Sequence, residues 1–301
     1  HWRILIRLLR KIKSLKCMEY SSSYKSNLPI LYLVATPIGN LQDFSLRAIN
    51  TLKQVNLIAC EDTRVTAKLL NHYEIDKPLL ACHEHNEQEA SIKIVEILNN
   101  GQSVAYLSDA GYPLISDPGH RLVQNVINAG FPVSTIGGSS ALLNALAASG
   151  LASDHFYFYG FLPVKASERT QVLKSLEQFA DTLIFYEAPH RISETLKALA
   201  EVFKDRRFVI ARELTKIHEE IIRGNLLEVN TINSENLRGE MVIIVEGAPQ
   251  NISENNDIYL LNEIDKLLKI GLSLKQSCEV LSVQLSIKKN YLYQLYIKEK
   301  Q

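Results

Sequence analysis

The residues whose types and spacing could do chemistry fall in four short stretches, each rich in turn formers and each following an apolar run. They are T-P-I-G-N (36–40), E-D-T-R (61–64), S-D-A-G-Y-P-L-I-S-D-P-G (108–119) and G-G-S-S-A (137–141). Glycine lets backbone approach a ligand closely, and unpaired N–H groups at a following helix start supply donors. Ordinary strand-to-helix punctuation explains any one of these stretches. Four together, two of them with embedded carboxylates, point to a ligand site. Asp62, Asp109 and Asp117 make that site acidic, with Arg64 the one cation inside the four stretches. Such a crevice suits a cationic ligand with an uncharged ribose better than a triphosphate, and a sulfonium has the right sign. No G-x-G-x-x-G follows the first apolar run and no G-x-x-x-x-G-K-[ST] occurs, so dinucleotide and phosphate-loop readings lose their main support.

These turns need elements to hold them. Apolar runs at 30–36, 55–61, 78–82, 103–109 and 132–136 read as strands. Between and after them come helical patterns at 44–53 (Leu46, Ile49 and Leu52 inward), 64–71, 87–98 (Ile92, Val95 and Ile97 or Leu98 inward), 119–129 and 139–148. Strand–helix alternation with continuously apolar strands predicts a mostly parallel sheet, whose carboxyl-end loops meet at one crevice. Beyond Gly150 the rhythm resets. Strands are expected at 155–162, 182–188, 207–214, 219–224 and 240–247, with helices at 167–179 and 191–203. Later strands follow one another without helices, so this second sheet should be mixed. A polar linker at 248–257 leads to a helical tail at 257–270, 274–283 and 287–298, its last two helices joined near Leu285-Ser286 like a small helix-turn-helix. The expected organisation is an N-terminal extension (1–28, disordered or not native), an α/β domain (29–138), a second α/β domain (139–248) and the tail (257–301).

Balanced charge, 33 basic against 33 acidic residues, conceals an uneven distribution. Six cations and no acid lie in the first seventeen residues, which leaves 27 cations against 33 anions in the rest. A nucleic-acid partner would therefore need a local basic surface. The stretch HWRILIRLLRKIKSLK is basic and amphipathic; it reads as a targeting presequence or surface helix, or as translated sequence ahead of a start at Met18. Cys17, Cys60, Cys82 and Cys278 are far apart with no C-x-x-C pair, so neither zinc nor a disulfide framework is expected, and free thiols in a cytoplasmic protein are. No apolar run has a membrane-spanning length.

The stretches TPIGNLQDFSLRAI, LIACEDTR, HEHNEQ, SDAGYPLISDPG, GFLP, IFYEAPHR, ARELTK and RGEMVIIVEG together closely resemble the ribosomal RNA small-subunit methyltransferase I family, within the tetrapyrrole methylase superfamily. The resemblance runs from about Leu31 to Gly247 and weakly through the tail. It implies a two-domain tetrapyrrole-methylase-like α/β fold with S-adenosylmethionine bound in the cleft between the domains. It also implies a homodimer and methylation of the 2′-oxygen of a decoding-region cytidine in 16S rRNA of the small ribosomal subunit. Matched by motif, the cofactor residues would be Pro37, Ile38 and Gly39; Ser108, Asp109, Ala110 and Gly111; Ser139, Ser140 and Ala141; and Gly239 with Glu240. Two positions depart from the family pattern. Tyr112 stands where a small Thr is usual and would crowd or cap the pocket, while G-G-S-S-A replaces P-G-P-S/C-A. Losing two prolines frees two φ angles, so the loop should be less preorganised.

A ribose hydroxyl is a poor nucleophile until its proton leaves, so a base or acceptor should lie nearby. Candidates are Glu61 and Asp62, His83 and His85, and Glu213 with Lys216, although the two histidines could equally cap the helix at 87–98. Arg64, Arg191, Arg212 and Lys216 are candidates to grip RNA phosphate, with surface ion pairing as the alternative. In the tail, Lys275, Lys288, Lys289, Lys298 and Lys300 suggest an accessory RNA contact. Two other functions compete: a tetrapyrrole methylase of the same superfamily, and a non-catalytic nucleic-acid-binding regulator, which the altered 137–141 loop favours.

Overall fold

A computed structural model describes residues 28–232, 237–249, 254–285 and 287–299. The N-terminal extension up to residue 27, part of the polar linker, Ser286 and Lys300 lie outside the described residues. The chain divides into two compact units, residues 1–246 and 247–301.

The larger unit begins with β1 (Leu31–Val34), α1 (Leu46–Gln54), β2 (Leu57–Cys60), α2 (Thr63–His72), β3 (Leu79–Ala81), α3 (Glu87–Asn99), β4 (Val104–Leu107), α4 (His120–Asn128), β5 (Val133–Ile136) and α5 (Ala141–Ser149). The five strands form one parallel sheet in the order β3-β2-β4-β1-β5. Both faces are covered, which is why its strands are apolar throughout. Phe44, Ala48, Leu52, Leu70 and Ile75 pack on one face, and Ala90, Ile94, Leu98, Leu122 and Val126 on the other. Each such fully buried aliphatic side chain contributes roughly 1.5–3 kcal/mol.

Two expected helix faces hold except at one residue each: Leu52 and Leu98 are buried and Ile49, Val95 and Ile97 pack against the core, but Leu46 and Ile92 do not face inward. Leu46 is exposed, and α1 turns Ala48, Thr51 and Leu52 inward. Leu46 is the first residue after the Ser45 N-cap, whose hydroxyl accepts from the Ala48 amide, and at 3.6 residues per turn it lies roughly 120–160° round the helix from that buried row. Ile92 is likewise exposed; the inward row of α3 is Glu87, Ala90, Ser91, Ile94 and Leu98. Polar Ser91 belongs in that row because its hydroxyl donates to the Gln88 carbonyl and accepts from the Asn125 amide of α4. Glu87 is buried because its carboxylate accepts from the Leu122 amide (3.1 Å), so one helix caps its neighbour.

The second sheet comprises β6 (Phe156–Phe161), β7 (Thr182–Glu187), β8 (Arg207–Arg212), β9 (Glu220–Asn225) and β10 (Met241–Val245), in the order β6-β7-β10-β8-β9. Only β6 and β7 run parallel, joined through α6 (Ala166–Ser175), and the other pairings are antiparallel. The sheet is mixed, as strands following one another directly require. Its outer face carries α7 (Ile192–Phe203) and an unforeseen 3-10 turn, Leu226–Thr231, whose Leu226 and Val229 join the core there. Its inner face packs Ile184, Val209, Ala211, Val242 and Ile244 against Ala145 and Leu146 of α5 and against Ile38.

The smaller unit contains α8 (Glu254–Lys269), α9 (Leu274–Leu285) and α10 (Lys289–Glu299). Leu260, Ile264, Cys278, Leu281 and Leu292 form its core. Of the tail tyrosines Tyr296 packs against this core and donates to Asp265 (2.6 Å), while Tyr291 and Tyr293 are exposed, Tyr291 donating to Asp257 (2.5 Å). Lys289 is paired with Glu279.

Candidate active site

Strand order explains why the turns converge. In the run β2-β4-β1-β5, neighbours lie about 4.8 Å apart, so the four turns at their carboxyl ends stand side by side. Backbone joins the first to the third: the Thr36 amide donates to the Gly111 carbonyl (2.9 Å) and the Gly111 amide to the Thr36 carbonyl (3.1 Å). Gly111 sits at φ +80, where a β-carbon would be strained. The Asp62 amide donates to the Asp109 carboxylate (3.2 Å), tying the second turn to the third. The fourth is held by Tyr112, whose hydroxyl accepts from the Gly138 amide (3.1 Å). Tyr112 is thus a support for the loop that lost its prolines.

These turns form one wall of a cavity of about 420 Å³, with Ile38, Glu61, Asp109, Ala110, Gly111, Tyr112, Asp117, Ser140 and Ala141 on that side. The opposite wall comes from the second sheet: Phe161, Tyr186, Pro189, Ala211, Leu214, Glu240, Met241 and Val242. The volume lies in the range of small-molecule sites. Five carboxylates line the cavity (Glu61, Asp109, Asp117, Glu187 and Glu240) and none of its lining residues is Lys or Arg. The start of α5 opens onto it at Ser140 and Ala141, and the Ser140 side chain does not cap the helix. The Leu142 amide donates to the Tyr186 hydroxyl, which sets that ring against the helix start.

Each carboxylate has its own environment. Asp62 caps α2, accepting from the Arg64 amide (2.8 Å) and pairing with the Arg64 side chain (2.6 Å), and those bonds pull its pKa down to about 2. A carboxylate so stabilised is a weak base. Burial raises Glu61, helped by the charges of Asp117 and Asp109 and opposed by the Asp109 amide. Burial also raises Asp109. It pushes Asp117 up to about 6, with a bond from the Ser108 hydroxyl opposing and Asp109 adding to the rise.

Other sequence candidates lie beside the cavity. Ser108 is buried behind its wall, and the Ser139 hydroxyl accepts from the Asn144 amide group (3.3 Å). Pro37 opens the first turn, partly buried. Gly39 packs against the second half; a β-carbon there would meet the Lys216 side chain, Thr215 Oγ1 at 2.8 Å and the Leu214 carbonyl at 3.0 Å. Gly239 similarly leaves room for the Glu213 carboxylate. That carboxylate accepts from the Glu240 amide (3.1 Å) and pairs with Lys216 (2.9 Å), which also reaches Glu240 (3.1 Å). Glu213 and Lys216 therefore join the segment 213–216 to the last strand, at backbone strained by φ +49 at Glu213 and +67 at Thr215.

The phosphate-binding candidates separate. Arg64 is 86% exposed at the edge of the site. The Arg191 side chain is mostly buried (13% exposed), pairing with Glu187 (3.4 Å) and donating to the Leu162 carbonyl (2.6 Å), while Glu187 also accepts from Thr195 (2.5 Å) and the Ala188 amide. Arg212 pairs with Glu220 (2.5 Å), its cross-strand neighbour. His83 and His85 follow β3 at the sheet's edge; Asn86, not either histidine, is the N-cap residue of α3. Most of the second-sheet wall escaped sequence reasoning, Phe161, Tyr186 and Pro189 among it. Their signal was present, since A-P-H-R follows β7 as the other turns follow theirs.

Comparison with known proteins fits this geometry. The model of the Tetrapyrrole (Corrin/Porphyrin) Methylases matches residues 30–230. A ribosomal RNA small subunit methyltransferase I from Bacillus subtilis strain 168 is 42% identical over 284 residues, covering 92% of this chain and 97% of its own. The chain belongs to that family. A second member, from Haemophilus influenzae, is 46% identical over 271 residues and covers 88% of this chain and 95% of its own. Among solved structures, the methyltransferase CobJ aligns with a TM-score of 0.56 at 18% identity, covering 73% of this chain and 95% of its own. The uroporphyrin-III C-methyltransferase of Thermus thermophilus, crystallised with S-adenosyl homocysteine, aligns with a TM-score of 0.52 at 19% identity, covering 72% of this chain and 97% of its own. These likenesses extend the family's fold across both sheets. Among the described residues no helix is long and apolar enough to cross a membrane, and no group of His, Cys, Asp or Glu forms a metal site.

Proposed function

We propose that this chain methylates the ribose 2′-oxygen of a cytidine in 16S rRNA of the small ribosomal subunit, with S-adenosylmethionine as donor. The observation that carries this reading is the cavity's charge: carboxylates on both walls and no cation in the lining. That field favours a sulfonium and disfavours phosphate. The donor supplies, when bound, a methyl group on positively charged sulfur. Ile38, Met241 and Val242 would offer apolar contact to its base. The backbone of Ala110 and Gly111 and the first amides of α5 would take its polar groups, and Asp109 with Glu240 would face its charge. The walls then hold oxygen and methyl carbon in line, an alignment that can be worth several kcal/mol. The names of the curated relatives support ribosomal RNA as substrate. The regulator reading loses its footing, because Tyr112 restrains the loop that favoured it.

A homodimer in the cytoplasm completes the proposal. Support for the dimer comes from β6, an edge strand that leaves Phe156 and Tyr157 exposed, a surface that folded proteins cover. Lys275, Lys288 and Lys298 support an RNA contact by the tail. The test is incubation of purified protein with methyl-labelled S-adenosylmethionine and either small subunits or uroporphyrinogen. Label in ribose-methylated cytidine is expected. Label in the tetrapyrrole, or none in either by a folded protein, would overturn the proposal.

A further inference from the structure

Of the five carboxylates lining the cavity, four have fixed partners. Glu61 accepts from the Asp109 amide, and Asp109 from the Asp62 amide. Glu187 is held by Thr195, Ala188 and Arg191, and Glu240 by Lys216. Among the described residues Asp117 has no such fixed donor: it faces the Ser108 hydroxyl, which also donates to the Gly111 carbonyl (3.4 Å) and is free to rotate.

The chain goes to unusual lengths to put Asp117 there. Leu114 and Ser116, neither of them glycine, have φ values of +72 and +64. Conformations of that kind cost of order 1–3 kcal/mol each and persist only where the surroundings enforce them. Two contacts do the enforcing. The Tyr106 hydroxyl, itself inside the core, donates to the Pro118 carbonyl (3.1 Å). On the other wall β6 breaks register between Phe158 and Gly160, and a β-carbon on Gly160 would meet Ser116 Oγ at 3.2 Å. Both halves of the larger unit thus clamp this segment, with Asp117 facing the cavity.

We infer that Asp117 is the group that takes the proton from the ribose hydroxyl during methyl transfer, an inference resting on the function proposed above. The hydroxyl oxygen forms its bond to the methyl carbon as the carbon–sulfur bond breaks and leaves its electron pair on sulfur. The proton passes to the Asp117 carboxylate, and from there to water. Burial and the charge of Asp109, after β4, act against the ionised form of Asp117, and Asp117 in turn raises Glu61 at the end of β2; Glu187 and Glu240 line the same cavity but are paired with Arg191 and Lys216. The phenols of Tyr106 and Tyr186 complete the surroundings, both held neutral by burial and by the neighbouring acids. With Asp117 pushed up to about 6, it ionises close to neutrality, where a general base is most effective.

The experiment is the pH dependence of kcat/KM on small subunits for the full chain and its Asp117→Asn and Glu61→Gln forms, with S-adenosyl homocysteine titrated as a measure of intact binding. The unaltered protein should gain activity with pH through a step near 6. Asp117→Asn should lose roughly 10²–10⁴-fold on the plateau together with the step, and should still bind the neutral S-adenosyl homocysteine. Glu61→Gln should still show a step, moved to lower pH by the loss of a neighbouring negative charge. An Asp117→Asn form that keeps the step and most of the rate overturns the inference while leaving the function standing. An unaltered protein that binds the ligand but methylates no rRNA overturns both.

Discussion

Replacing Tyr112 by Phe removes one oxygen atom and one hydrogen bond, the 3.1 Å contact from the Gly138 amide. The consequence is larger than for most surface bonds, because Gly137 and Gly138 stand in sequence and ordering each glycine costs about 0.5–1 kcal/mol more than ordering an alanine. A bond of this kind contributes about 0.5–1.5 kcal/mol net. If it holds the loop in the form that meets the ligand, its loss lowers the binding-competent fraction, and apparent affinity falls in proportion. The expected weakening for S-adenosylmethionine and S-adenosyl homocysteine is about 2- to 13-fold. Isothermal titration calorimetry of both ligands measures it directly. Affinity within error of the unaltered protein would show that the hydroxyl does not hold the loop. A loss beyond about 100-fold exceeds what one neutral hydrogen bond contributes and would mean that the ring itself holds the ligand.

Gly39→Ala should force the first turn away from Thr215 and the immovable Leu214 carbonyl, costing about 1–3 kcal/mol, visible as a lower melting temperature and a raised KM for the donor. Glu187→Ala leaves the mostly buried Arg191 without its counter-charge, so stability should drop by about 3–5 kcal/mol in urea titration; a change under 1 kcal/mol would show that the pair is solvated. Asp109→Ala, at a loop position whose carboxylate accepts from one backbone amide, should abolish methyl transfer while circular dichroism stays unchanged, and full turnover would misplace the pocket.

Much of this was legible in the sequence because strands and turns are local. Four apolar runs each ending in breakers predict four loops at one end of a parallel sheet, and the order β2-β4-β1-β5 brings them together. What escaped depends on long-range packing. Leu46 and Ile92 are spaced for an inward face, yet the buried rows centre on Ala48, Thr51 and Leu52 and on Ala90, Ser91 and Ile94, where Asn125 satisfies the polar Ser91, and both residues fall outside them. Arg191 and Arg212 look like free cations until Glu187, four residues back at the end of β7, and Glu220 on the adjacent strand claim them. Asp117 was visible as one acid of a crevice, but its environment follows from a segment clamped by Tyr106 and Gly160, residues 11 and 43 positions away. Tyr112 and Gly138, 26 residues apart, look like separate departures and prove to be partners.

The most direct test is a crystal structure of the complex with S-adenosyl homocysteine. The ligand should lie between the two sheets, touching Ile38 of the first turn, Asp109–Gly111 of the third and Ser140–Ala141 of the fourth, with Met241 and Val242 opposite. Density for the ligand anywhere else on the protein, with this cavity filled only by water, would contradict the whole construction.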